Sequence, residues 1–172
     1  MCRKALSANL FVSDSHNCIN MADIKAGTKY VLTNSLIGPT NALASTSAND
    51  SVIVVPSKSD GSQSWYFLET STSGYYRLHT EQKGDFAALD VLNYNGRNSL
   101  DLHMYAVQEN TGQHWRVNKQ DDGSVKINNQ FTGSDIYLDV VKDTLQPTLA
   151  AKDGPGQRCK YLSWMKCLCS MH

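Results

Sequence analysis

From Gly27 onward, apolar residues alternate with polar ones over runs of a few residues, and clusters of turn-forming residues separate the runs. Examples are Ser57-Lys58-Ser59-Asp60-Gly61-Ser62, Asn93-Tyr94-Asn95-Gly96 and Asp121-Asp122-Gly123. A period of two marks strands with one face buried, and Asn95-Gly96 is a strong hairpin signal. No stretch carries the 3.6-residue period of an amphipathic helix. The pattern predicts an all-β chain of many short strands, arranged as a sandwich or a barrel.

The alternation is itself repeated. Gln63-Ser64-Trp65, Gln113-His114-Trp115 and Gln157-Arg158-Cys159 follow one another at steps of 50 and 44 residues, the last with a cysteine in place of tryptophan. Two further landmarks occur in the same order in each unit. The first is Tyr30-Val31-Leu32, Tyr76-Arg77-Leu78 and Val125-Lys126-Ile127. The second is Ala42-Leu43-Ala44, Ala88-Leu89-Asp90-Val91 and Tyr137-Leu138-Asp139-Val140. The steps are 46 and 49 residues in both series, from Leu32 to Leu78 to Ile127 and from Leu43 to Leu89 to Leu138, so the chain reads as a threefold repeat. Three like units close best into a barrel, which removes free strand edges and gives every unit a share of one core. Trp65 and Trp115 then pack that core, and each preceding Gln satisfies backbone groups of the irregular turn before its strand.

Composition narrows the function. A chain of 172 residues suits one domain. Sixteen Lys plus Arg against sixteen Asp plus Glu leave no net charge, which argues against a nucleic-acid partner. No apolar run is long enough to cross a bilayer, so no membrane insertion is expected. The five cysteines (Cys2, Cys18, Cys159, Cys167 and Cys169) leave the repeats without an internal disulfide. With no convincing signal peptide, this fits a reducing, cytoplasmic location. Cys167-Leu168-Cys169 lacks the spacing of a structural zinc site, and free thiols on irregular tails are the simpler reading. No metal or cofactor is expected. The boundaries drawn are an irregular appendage at 1–20, the repeat domain at 21–162 and a cysteine-containing tail at 163–172.

The paired landmarks Ala88-Leu89-Asp90-Val91 with Gln113-His114-Trp115, and Tyr137-Leu138-Asp139-Val140 with Gln157-Arg158-Cys159, resemble ricin B-type lectins from roughly Gly27 to Cys159. Lacking disulfides and a secretion signal, the chain is similar to the small cytosolic lectins of fungi. The resemblance implies a β-trefoil with pseudo-threefold symmetry, in which three hairpins cap a six-stranded barrel. It also implies a non-catalytic carbohydrate-binding protein with a glycan partner and a role in defence.

In such lectins the Asp after the Leu accepts hydrogen bonds from sugar hydroxyls, and an aromatic ring stacks on the sugar. The first unit has Ala44 at the Asp position, and the third keeps Asp139 with no aromatic before Gln157. The second unit is therefore the expected site. The resemblance places its acceptor at Asp90, the polar hairpin position at Asp101 and the platform at His103. Tyr94, Asn95, Tyr105 and Gln113 are further candidates. Simpler readings stand beside these: Asp90 as a turn residue, His103 as an exposed strand residue and Tyr105 as a buried one. Gly112 stands where an Asn often precedes the Gln, a departure from the family pattern.

A β-trefoil protease inhibitor acting through surface loops is the alternative, because fold alone does not decide function. No nucleophile motif or carboxylate pair indicates an enzyme. With one good site per chain, avidity requires a homodimer or an extended oligosaccharide epitope. Cys159 fills less space than an indole. Trimming both ends and substituting Cys159→Trp is accordingly expected to fill a cavity and stabilise the chain by ~1–3 kcal/mol, as read from denaturant melts.

Overall fold

The computed structural model describes residues 24–25, 27–94, 97–151 and 153–163. The appendage up to Asn20, Cys2 and Cys18, Asn95 and Gly96, and Trp164 with the rest of the tail lie outside these.

Among the described residues twelve strands form: β1 Tyr30–Asn34, β2 Asn41–Ser45, β3 Val52–Pro56, β4 Trp65–Glu69, β5 Tyr76–Thr80, β6 Ala87–Tyr94, β7 Arg97–Ala106, β8 Trp115–Lys119, β9 Val125–Asn129, β10 Tyr137–Val140, β11 Pro147–Ala150 and β12 Cys159–Ser163. Six of them, β1, β4, β5, β8, β9 and β12, close into a barrel. The pairs β2–β3, β6–β7 and β10–β11 are antiparallel hairpins. This is the β-trefoil that the resemblance implied.

The landmarks are the joints of the fold. Five-residue ladders join β4 to β5, β8 to β9 and β12 to β1. The barrel closes between them where Tyr30 pairs with Trp65, Tyr76 with Trp115 and Val125 with Cys159. The first residue of each opening landmark thus meets the last residue of each Gln-x-Trp motif. Trp65, Trp115, Leu78 and Leu89 are fully buried, and Leu32, Leu43, Ile127 and Leu138 join them in the core. Each indole also donates to the second landmark of its unit: Trp65 Nε1 to the Leu43 carbonyl and Trp115 Nε1 to the Leu89 carbonyl, both at 2.8 Å. The indoles therefore fill the core and tie each hairpin to the barrel.

The glutamines meet the sequence expectation: each bonds backbone groups at the start of the irregular segment that leads from its hairpin into its barrel strand. Gln63 donates to the Pro56 carbonyl at 2.8 Å and accepts from the Lys58 N–H at 2.9 Å. Gln113 repeats both bonds with Ala106 and Gln108, at 2.9 Å each. Gln157 donates to the Ala150 carbonyl at 2.9 Å. All three glutamine side chains are fully buried, where an unpaired amide would be costly.

The third unit corrects the expectation for Cys159. The thiol is buried, and burial together with nearby Asp139 pushes its pKa up to about 12. The apolar cleft it shares with Leu32, Leu43, Val54, Leu138 and Val140 holds only about 10 Å³ of free space. That is too little space for an indole unless the neighbours move. Cys159→Trp in the full chain is expected to overpack and cost ~1–3 kcal/mol, whereas Trp65→Ala and Trp115→Ala each cost ~3–5 kcal/mol. Urea melts of the three variants check both statements. A gain from Cys159→Trp would restore the cavity reading.

Candidate functional site

The second unit carries an open cavity of about 470 Å³ whose walls include Asp90, His103, Tyr105, Asn110, Thr111 and Phe131. The register of its hairpin explains which side chains meet there. Asp90 pairs with His103 and Ala88 with Tyr105, while Leu89 and Met104 between them are fully buried. Alternation then puts Asp90, His103 and Tyr105 on one outer face. His103 and Tyr105 stack with ring centroids 5.2 Å apart and planes 24° apart. The first unit braces this strand from its other edge, because the Met104 N–H donates to the Asp50 carbonyl at 2.7 Å and Ser51 bridges to His103.

Asp90 forms the floor of the cavity and is 6% exposed. Gln113 Nε2 donates to its Oδ2 at 3.1 Å, and His103 Nε2 lies 4.0 Å from the same oxygen. Burial raises the pKa of Asp90, against the opposing influence of Gln113, His103, the Val91 N–H and Asn110. The folded chain therefore holds this proton more tightly than the unfolded chain. The corresponding stability is present below the ordinary Asp pKa and is lost as pH rises through the raised value. At neutral pH the site keeps a desolvated carboxylate at a cost to the fold.

Three of the expected residues, Asp90, His103 and Tyr105, come together here. Tyr105 is 44% exposed, which corrects the reading of it as a buried hairpin residue. Gln113 is fully buried and holds the carboxylate from behind, so it is a positioning residue. Asp101 is exposed on β7 and does not line the cavity. The last regular pair on its side is Val91 with Leu102, and the ladder resumes only at Asn98, after a register shift, with Leu100 at φ +60°. The backbone of Tyr94 pairs with that of Arg97 at the hairpin end, while Asn95 lies outside the described residues.

Three contributors went unrecognised in the sequence. Asn110 caps the short 3-10 turn Thr111–Gln113 by accepting from the Gln113 N–H at 3.1 Å, and it also faces the cavity. Phe131 arrives from beyond Trp115, four residues after Ile127. Its equivalents in the repeat are Leu36 and Gln82, so comparing those three positions would have revealed it. The third is Gly112. A Cβ at Gly112 would overlap Asp90 Oδ1, and one at Gly156 would overlap Asp139 Oδ1 in the third unit. The first unit has Ala44 in place of the Asp and carries Ser62 before its Gln. Glycine thus stands wherever the carboxylate needs the room, which explains the departure at Gly112.

The third unit shares the floor but not the walls. Gln157 Nε2 donates to Asp139 Oδ2 at 3.3 Å, and the Val140 N–H donates to Asp139 Oδ1 at 2.7 Å. Opposite Asp139 stands Thr148, and opposite Tyr137 stands Ala150, where the second unit has His103 and Tyr105. In the first unit the corresponding residues are Ile53 and Val55. Among the described residues, only the second unit presents an acceptor and two stacked rings on one face.

A sequence profile described as ricin-type β-trefoil lectin domain-like matches residues 61–148, just over half of the chain. The chain belongs to this ricin-type family. Among solved structures, this ricin-type chain resembles a designed threefold-symmetric protein, ThreeFoil, with a TM-score of 0.67 and 24% identity over 78% of this chain and 98% of that one. It also resembles SeviL, solved with asialo-GM1 saccharide, with a TM-score of 0.60 and 16% identity over 80% and 98% of the two chains. An exo-β-1,3-galactanase from Clostridium thermocellum aligns with a TM-score of 0.65 and 25% identity, over 81% of this chain but only 31% of the enzyme. A search of curated proteins returns no match.

The glycine argument has a direct test. Gly112→Ala is expected to cost ~1–3 kcal/mol by overpacking against Asp90, and clearly less in an Asp90→Ala background. Denaturant melts of the wild type, both single variants and the double variant measure the coupling. Strict additivity would show that Gly112 is not there for the carboxylate.

Proposed function

We propose that this chain is a non-catalytic glycan-binding protein whose ligand sits in the second unit, with Asp90 as the acceptor for sugar hydroxyls. The observation that carries this reading is a buried carboxylate, fixed by Gln113, beneath the stacked pair of His103 and Tyr105. A carboxylate accepts hydroxyl protons more strongly than a neutral group does. The two rings offer flat faces to the C–H side of a pyranose. Asn110 and Thr111, on the cavity wall, add polar groups able to fix orientation.

The chemistry favours binding over turnover. Glycoside hydrolysis commonly uses two carboxylates that flank the scissile bond, and Asp90 is the one carboxylate among the described residues lining this cavity. Family membership and the saccharide named with SeviL support a glycan as ligand. A single site per chain binds weakly by itself, so avidity comes from an extended epitope or from pairing of chains.

A glycan array, followed by calorimetry with the best ligand, tests the reading. Asp90→Ala is expected to abolish binding with the fold intact, and Asp139→Ala to change it little. Equal losses would overturn the one-site reading, and inhibition in a parallel panel of serine and cysteine proteases without any glycan binding would favour the inhibitor reading. Acidification supplies a second check. The ligand binds the ionised form of Asp90, so affinity is present above the raised pKa and falls as pH drops through it, beginning above the usual Asp value of about 3.9. His103→Gln should retain this acid-side loss, which would assign it to Asp90. A loss that vanishes in His103→Gln would assign it to the histidine.

A further inference from the structure

The face that carries Asp90, His103 and Tyr105 does not end at the cavity. Beyond Tyr105 the β6–β7 ladder continues by one bond, from the Val107 N–H to the Phe86 carbonyl at 3.0 Å. Val107 follows Tyr105 by two residues, so it leaves the strand on the same side as Tyr105 and His103. Phe86 is held directly across from it. Phe86 is 89% exposed and Val107 38% exposed, next to Tyr105 at 44%. Single apolar residues on a surface need no explanation, but an exposed aromatic held by the register diagonally across from Tyr105, a ring of the cavity wall, does.

Phe86 has no evident structural task that would keep it. It closes the short 3-10 turn Gly84–Phe86, none of whose residues is buried, and its backbone carbonyl supplies the bond to Val107. Any residue provides that carbonyl. The polar neighbours of the turn are engaged elsewhere: Asp85 accepts from the Tyr66 hydroxyl, and Lys83 Nζ donates to the Asn49 carbonyl. An uncharged ring on a fixed backbone therefore faces solvent one register step beyond Tyr105, which lines the cavity.

We propose that Phe86 is a second stacking platform of the site and that the ligand is an oligosaccharide of at least two residues. The terminal sugar rests on Asp90 and the His103–Tyr105 pair, and the next pyranose lays its C–H face on Phe86. The inference builds on the glycan-binding reading and assigns it a ligand length. The cavity of about 470 Å³ already exceeds what one hexopyranose ring fills. An uncharged platform suits a neutral second residue.

The test uses an array printed with matched series on one linker, in which each neutral monosaccharide appears with its di- and trisaccharide extensions. The full chain is compared with Phe86→Ala, Phe86→Trp and Asp90→Ala. The wild type is expected to bind at least one disaccharide about tenfold or more tightly than its terminal monosaccharide. Phe86→Ala should bring that disaccharide down to the monosaccharide level without altering monosaccharide binding, and Phe86→Trp should restore it. Disaccharide affinity unchanged in Phe86→Ala but lost in Asp90→Ala would overturn the proposal and leave the glycan site standing. Equal losses for mono- and disaccharides in Phe86→Ala would show a structural effect and also overturn it. No binding to any printed glycan would remove both readings. Size-exclusion chromatography of the same proteins completes the set: a dimer that becomes a monomer in Phe86→Ala would assign the ring to a chain-to-chain contact and overturn the proposal.

Discussion

One buried amide per unit holds barrel and hairpin together. Each glutamine of the Gln-x-Trp motif donates to the carbonyl seven residues earlier, where the hairpin ends, and Gln63 and Gln113 also accept from the N–H five residues earlier. Those groups lie at the end of the hairpin ladder and just beyond it, where the chain turns toward the barrel, and the buried amide gives them a fixed partner. In the units that carry an Asp, the same Nε2 also reaches the carboxylate. Fold and site thus share one group. A symmetric scaffold of this kind can lose a site in one unit without losing its shape, because the amide keeps its backbone partners whether or not a carboxylate is present.

The three units show that separation in practice. The first replaces the acceptor with Ala44 and keeps Gln63 buried with both backbone bonds. The third keeps Asp139 over the small side chains of Thr148 and Ala150, and its Val140 N–H donates to the carboxylate. The second surrounds Asp90 with rings and polar groups and tolerates the raised pKa that follows from burying it. A group kept at a cost to stability, in an open cavity, is what a binding site requires of the fold around it.

Much of this was legible in the sequence because the repeat made every strong feature appear more than once. Leu32, Leu78 and Ile127, the Gln-x-Trp motifs and the Leu before each Asp position identified the barrel, the hairpins and the position of the buried carboxylate. What escaped notice depends on contacts between units or on geometry that no pattern encodes. Phe131 enters the second unit's cavity from the third, and Asp50 braces β7 from the first. Asp101, which the resemblance put at the polar hairpin position, lies where the hairpin register shifts and does not line the cavity. Gly112 looked like a lost Asn, and its meaning appears only when the Asp90 carboxylate is seen filling the space a Cβ would occupy. Cys159 suggested a void, yet the cleft it lines has too little space for an indole unless the neighbours move.

The claim on which the functional reading rests is that one face of one hairpin holds the ligand. A crystal structure of the full chain grown with its best array glycan addresses this directly. The reading predicts sugar density in the second unit, with a hydroxyl within hydrogen-bond distance of Asp90 and a ring face against His103 or Tyr105, and no density at Asp139. Sugar bound at the third unit, or at a surface away from both carboxylates, would contradict it.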